Sequence, residues 1–158
     1  MKGTLHLTFG TASAVVISTQ LFASNNDVLL FIGSAMFGSL LPDLDHKTSI
    51  ISNKLPVLAF IVHRFFSRRG LLHTPLFIFL LSIFNIHILH FPLPMWSGLA
   101  LGYLCHLIQD TFTKGGIMWL YPISKISIHF SNAKSGAISN YFVTIFLLCL
   151  IVGWKYIL

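Results

Sequence analysis

The chain contains no glutamate, and its acidic residues are four aspartates: Asp27, Asp43, Asp45 and Asp110. It has two cysteines, Cys105 and Cys149, both inside apolar runs, which excludes a disulfide framework and a cysteine-type zinc site. Charged residues make up only 9% of the composition, against 55% apolar residues and a mean hydropathy of +0.82, so the chain reads as an integral membrane protein rather than a soluble one. Scarce charge and missing glutamate also argue against a polar channel for a soluble substrate. There is no internal repeat, which speaks against a secondary transporter, and 158 residues leave room for one domain, taken as residues 1–158. The formal charge is +6, yet the basic residues are not spread as a nucleic-acid-binding face. They gather in two inter-helix segments, the pattern expected of membrane topology and of attraction to anionic lipid. The bilayer, not nucleic acid, is the expected partner.

Five apolar stretches can be drawn, at about 7–23, 28–41, 74–91, 95–109 and 140–157, with residues 56–66 as an interfacial helix. The expectation is an all-α, polytopic helical bundle of four to five transmembrane helices plus that interfacial helix. The second and fourth stretches fall short of the roughly 20 residues a span needs and can extend into the polar segments after them. The first 24 residues carry Thr4, His6, Thr8, Thr11 and Ser13, a poor signal-peptide core, so they are read as a retained helix. Lys47, Lys54, Arg64, Arg68 and Arg69 lie in the 42–73 segment, and Lys114, Lys125 and Lys134 in the 110–139 segment. The turns at 24–27 and 92–94 carry no basic residue, so both long segments and the N-terminus are assigned to the cytoplasm. Lys155 is the one misplaced charge. Trp96, Trp154 and Tyr156 are then expected near the outer interface, and Trp119 and Tyr121 near the inner one.

This topology sorts the ionisable residues. His6 opens the first helix, and Asp43, Asp45 and His46 close the second. His73 opens the third, and His106 with Asp110 closes the fourth. All seven fall on one membrane side, where carboxylate and imidazole together form the usual ligand set for a divalent metal. His106 and Asp110 are four apart and share a helix face. The competing reading makes Asp110 a cap and leaves Asp43 or Asp45 capping a helix that starts near Thr48. Arg68 and Arg69 suit phosphate through their guanidinium forks, although paired arginines also anchor helices at a membrane boundary. Thr113, Gly115 and Gly116 offer backbone N–H groups to an anion. The Ile117–Tyr121 stretch is expected to dip into the interface. His63, His87, His90 and His129 are read as structural or interfacial, Cys105 as a non-ligand, and Asp27 as a cap on the opposite side.

Several of these residues form blocks: Leu5-His6-Leu7, Leu40 to His46, Arg69-Gly70 with His73-Thr74, and Gly102 to His106 with Asp110, Thr113, Gly116, Leu120 and Pro122. In this order and spacing they resemble the YdjM-type, LexA-regulated inner-membrane proteins described as membrane-bound metal-dependent hydrolases. That family is distantly similar to zinc-dependent phospholipase C and the P1-type nucleases. The resemblance covers about residues 5–125. It implies metal-assisted hydrolysis of a phosphoester in a bacterial inner membrane. This chain has Arg68 where the family has histidine, Leu72 where it has threonine and Thr74 where it has serine. The ligand at the first of these positions is therefore missing or supplied elsewhere, with His63 as the candidate.

The function expected is a multi-pass, metal-dependent hydrolase with one or more divalent ions, zinc foremost, on the cytoplasmic side. A lipid or lipid-linked phosphate is the substrate class that can reach such a site laterally. His6, Asp43, Asp45, His46, His73, His106 and Asp110 are the candidate ligands. Asp43 or Asp45 is the candidate base, and Arg69 the candidate phosphate anchor. The alternative is a non-catalytic membrane protein whose same residues hold a structural metal or form a proton or ion path.

Overall fold

The computed structural model describes residues 1–46, 49–65, 70–132, 134 and 137–155, with Phe65, Trp154 and Lys155 described by backbone alone. Lys47, Arg68, Arg69 and Tyr156, and the side chains of Trp154 and Lys155, lie outside the described residues. Seven α-helices are described: α1 Gly3–Leu21, α2 Asn25–Gly38, α3 Ile50–Lys54, α4 Pro56–Phe65, α5 Pro75–Phe84, α6 Leu93–Thr111 and α7 Ile138–Lys155. Two 3₁₀ turns, Leu41–Asp45 and Leu71–His73, follow α2 and precede α5, and a π-turn over Asn85–Leu89 ends α5. The fold is all-helical. Among the described residues the one pairing of extended backbone is an isolated bridge between Ile117 and Ile128.

The second apolar stretch does continue into its polar segment. Asn25–Asp45 forms a 21-residue helical run containing an 18-residue stretch of mean hydropathy 1.4, and among the described residues it is the one helix that is by itself long and apolar enough to cross a membrane. Pro75–Leu89 and Ile138–Gly153 are shorter apolar helices. α1 and α6 have 19 residues each but are diluted by polar side chains. On α1 these side chains are satisfied locally: the hydroxyls of Thr8, Thr11 and Ser13 donate to the carbonyls of Thr4, Leu7 and Phe9 one turn back.

The centre of the bundle is the contact between α2 and α6, which run in the same direction. A side chain at Gly98 would collide with the Phe31 carbonyl and Ser34, and one at Gly102 with the Ala35 carbonyl; one at Gly38 would strike the backbone of Leu99. Small residues one turn apart thus let two backbones touch, the device helices use where apolar burial alone supplies little drive. This register brings Ser39, just past α2, beside His106. α1 crosses the same pair, with Gly10 against Ser39. A hydrophobic cluster that includes Leu41, Leu44, Leu72, Tyr103, Leu107 and Ile117 then seals the polar turns onto α6. Tyr103, wholly buried, donates its hydroxyl to the carbonyls of Leu72 and Thr74 at 2.5 and 3.1 Å and so fixes the turn that carries His73.

Two local expectations change. Ile117 is buried in the protein core and pairs with Ile128 instead of dipping into the interface, while Leu120 stays exposed. The N–H groups of Thr113 and Gly116 are spent on the turn itself, donating to the carbonyls of Asp110 and Thr113.

Candidate metal centre

The start of α1, the turn after α2, the turn before α5 and the end of α6 meet at one end of the bundle. There, ligand atoms of His6, His106 and Asp110 lie within 4.8 Å of one another, and so do those of Asp43, His73 and His106. The two triads share His106. His6 Nε2 is 3.3 Å from Asp110 Oδ1, His106 Nε2 is 3.8 Å from Asp110 Oδ2, and His106 Nε2 is 4.0 Å from Asp43 Oδ1. The rings of His6 and His106 stack with centroids 3.7 Å apart, and His73 meets His106 edge-on at 5.4 Å.

Each histidine is oriented through its other nitrogen. His106 Nδ1–H donates to the Ser39 carbonyl at 2.7 Å, and His73 Nδ1–H to Asp45 Oδ2 at 3.0 Å. His6 Nδ1 lies 2.9 Å from Gln109 Oε1. A carbonyl or carboxylate oxygen accepts only, so each ring keeps its hydrogen on Nδ1 and turns a bare Nε2 inward. This is how metal-binding histidines are held. His6 Nε2 and His106 Nε2 are both buried and have no hydrogen-bond partner. A buried acceptor of this kind is costly unless something fills it.

The donor set fits a divalent cation. Around a tetrahedral zinc with bonds of about 2.0–2.2 Å, ligand atoms stand roughly 3.3–3.6 Å apart, close to the separations here. Asp110 sharpens the point. It sits in the last turn of α6, where the helix macrodipole disfavours an anion, and Asp27 sits in the first turn of α2, where one is favoured. The Met1 ammonium also pairs with Asp110 Oδ1.

Neither Asp43 nor Asp45 caps the following helix. Ser49 does so, its Oγ accepting from the Ser52 N–H at 3.1 Å. Asp45 stands behind His73, and His46 lies on the rim; neither belongs to either triad. Among the described residues His63 does not join them, nor does Cys105. His87, His90 and His129 are exposed.

Asp43 is only partly covered. It also lines an open cleft of about 350 Å³ with Met1, Lys2, Gly3, Thr4, His46, Ser49 and Ile50. The cleft meets the ligand cluster at Asp43 and has the exposed Lys2 on its wall. Lys2, Ser39 and Gln109 are contributors that sequence reasoning missed. Gln109 carried a signal, a second polar residue beside Asp110 in an apolar helix. Ser39 acts through its carbonyl, which no sequence pattern reveals.

Comparison with known proteins agrees with the family resemblance read from the sequence. The family model described as "YdjM inner membrane protein" matches residues 1–158. The "Uncharacterized protein YvsG" of Bacillus subtilis (strain 168) is 33% identical over 123 residues, covering 77% of this chain and 74% of that protein. "Inner membrane protein YdjM" of Escherichia coli (strain K12) is 32% identical over 124 residues, covering 74% of this chain but only 63% of the relative's length. No solved structure matches the chain. The chain is a membrane protein and belongs to the YdjM inner membrane protein family.

Proposed function

We propose that this protein is a multi-pass inner-membrane hydrolase that uses one or more divalent metal ions, zinc foremost, to cleave a phosphoester such as a lipid or lipid-linked phosphate. One observation carries the reading: two bare, buried imidazole nitrogens converge with carboxylates, one of which, Asp43, also lines an open cleft. A bound metal would supply Lewis acidity and an acidified water. His6, His106 and Asp110 would hold it, and Asp43 and His73 complete the same site or a second one beside it. Asp43, at the boundary between ligands and cleft, is the residue suited to take the proton from an attacking water. Asp45 acts as a positioning residue by fixing His73. Lys2, on the cleft wall, would face the phosphate, and Arg69 is the anchor expected from the sequence.

Membrane crossing is not limited to Asn25–Asp45 in this reading. α1 and α6, at 19 residues each, and α7, at 18, measure about 27–29 Å, close to the hydrocarbon thickness of about 30 Å. Basic residues then place the ligand end of the bundle in the cytoplasm. Lipid-linked phosphate reaches that end without leaving the bilayer. The metal-binding test is elemental analysis of the purified full chain against Asp43→Ala and His106→Ala. The reading requires metal in the wild type and loss in both variants; a metal-free wild type, or unchanged metal in the variants, overturns it. Hydrolysis of phospholipid and lipid-linked phosphate panels by metal-loaded protein then tests the reaction, and no turnover of any phosphoester would leave a metal protein without this activity.

A further inference from the structure

Gln109 and Thr144 form a directed chain of hydrogen bonds that ends at His6. Gln109 is wholly buried, and its amide lies between three groups. Oε1 faces His6 Nδ1 at 2.9 Å, while Nε2 donates to Thr144 Oγ1 at 2.9 Å and to the Leu5 carbonyl at 3.5 Å. Thr144 in turn donates its single hydroxyl hydrogen to the Asn140 carbonyl at 2.9 Å. The carbonyls of Asn140 and Leu5 accept only, so both favour the same polarity. While its hydroxyl donates to Asn140, or to Met1 Sδ at 3.9 Å, Thr144 can only accept from Gln109. The amide nitrogen is drawn to Thr144 and Leu5, so the amide oxygen turns to His6. His6 therefore carries its hydrogen on Nδ1.

The other tautomer has a partner waiting. With hydrogen on Nε2, His6 would donate to Asp110 Oδ1, already 3.3 Å away. That arrangement would close the imidazole and the carboxylate on each other and remove both as ligands. A turned Gln109 would permit it, at the expense of facing two oxygens, those of Leu5 and Gln109, toward each other. The turn would also require the Thr144 hydroxyl, on a helix that contributes to neither triad, to leave Asn140 and donate to Gln109 instead.

We infer that α7 sets the tautomer of His6 through Thr144 and Gln109, making Thr144 a positioning residue of the metal centre. The inference rests on the metal-site reading for its purpose but not for its test. Nitrogen-15 spectra of the metal-free full chain, with labelled histidine and His6 assigned by a His6→Asn variant, distinguish the two tautomers directly. The wild type should carry the hydrogen on Nδ1. Thr144→Val, close in shape but with no acceptor, should move His6 toward the Nε2–H form, and Thr144→Ser should restore it. Zinc affinity should fall about 10-fold or more in Thr144→Val, within the range of about 10–100-fold seen when a ligand's supporting contact is removed, and recover in Thr144→Ser. A wild type with hydrogen on Nε2, or a Thr144→Val variant with unchanged tautomer and affinity, overturns the inference. If Thr144→Val fails to fold, the wild-type spectrum and Gln109→Leu decide in the same way. A wild type with the expected tautomer that binds no metal refutes the metal reading and leaves the relay standing.

Discussion

His106 is the one residue common to both triads, and replacing it should damage metal binding more than replacing any other histidine. In His106→Asn the shorter side chain keeps an amide donor that can face the Ser39 carbonyl but withdraws the nitrogen from Asp110 and Asp43. Structural zinc sites bind with about 10–16 kcal/mol spread over four ligands, or roughly 2.5–4 kcal/mol each. At about 1.4 kcal/mol per decade, one lost ligand lowers affinity on the order of 100- to 1,000-fold. His6→Asn and His73→Asn each strip one triad only, and each should leave the other nearly intact. The assay is competition between purified protein and a zinc-responsive chelator, with thermal unfolding of the metal-free forms as the control for folding. The decisive comparison is the order of the three affinities. A His106→Asn protein that folds and binds within about threefold of wild type, a difference below 1 kcal/mol, would show that these nitrogens do not meet at a metal.

Asp43→Asn and Asp45→Asn separate a ligand from the residue that orients one. The first should lower zinc affinity about 100-fold or more as a lost ligand, and the second about 10–100-fold as a lost support for His73; equal losses would erase the distinction. Lys2→Ala should raise KM for a phosphoester several-fold at unchanged metal content, and an unchanged KM would remove Lys2 from the substrate cleft. Gly102→Leu inserts a side chain against the Ala35 carbonyl. Overpacking costs about 1–3 kcal/mol even where side chains can yield, so a backbone contact should cost more, read as a lower melting temperature with loss of metal. A variant as stable as wild type would contradict the α2–α6 contact.

Much of the centre was legible because its residues are chemically out of place. In an apolar chain, His6, Asp43, His73, His106 and Asp110 stand out, and alternating helix direction is enough to bring five such positions to one end. The helix ends moved by a few residues, and a helix does form where 56–66 was expected to, over Pro56–Phe65. What stayed hidden was of a different kind. Asp43, Asp45 and His46 are adjacent, yet one is a ligand candidate, one orients His73 and one lies on the rim; a 3₁₀ turn assigns these roles, and its geometry depends on Ser49 capping the next helix in place of the aspartates. The contact that sets His106 against Ser39 depends on Gly98 and Gly102 letting two backbones touch.

The position of Asp110 ties these points together. A carboxylate near the C-terminal end of a long apolar helix is opposed by the helix dipole and by its surroundings. The fold offsets the charge of Asp110 with the Met1 ammonium, and it also turns the bare nitrogens of His6 and His106 toward the carboxylate, lone pairs that a cation would reconcile with it; a chain of hydrogen bonds keeps His6 from closing on it. Asp110→Asn tests this balance. If the site is built for a cation, the amide should abolish tight zinc binding, and the metal-free protein should lose stability as well, because the buried Met1 ammonium is left without its partner. Loss of stability together with unchanged metal binding would mean that Asp110 serves the fold and not the metal.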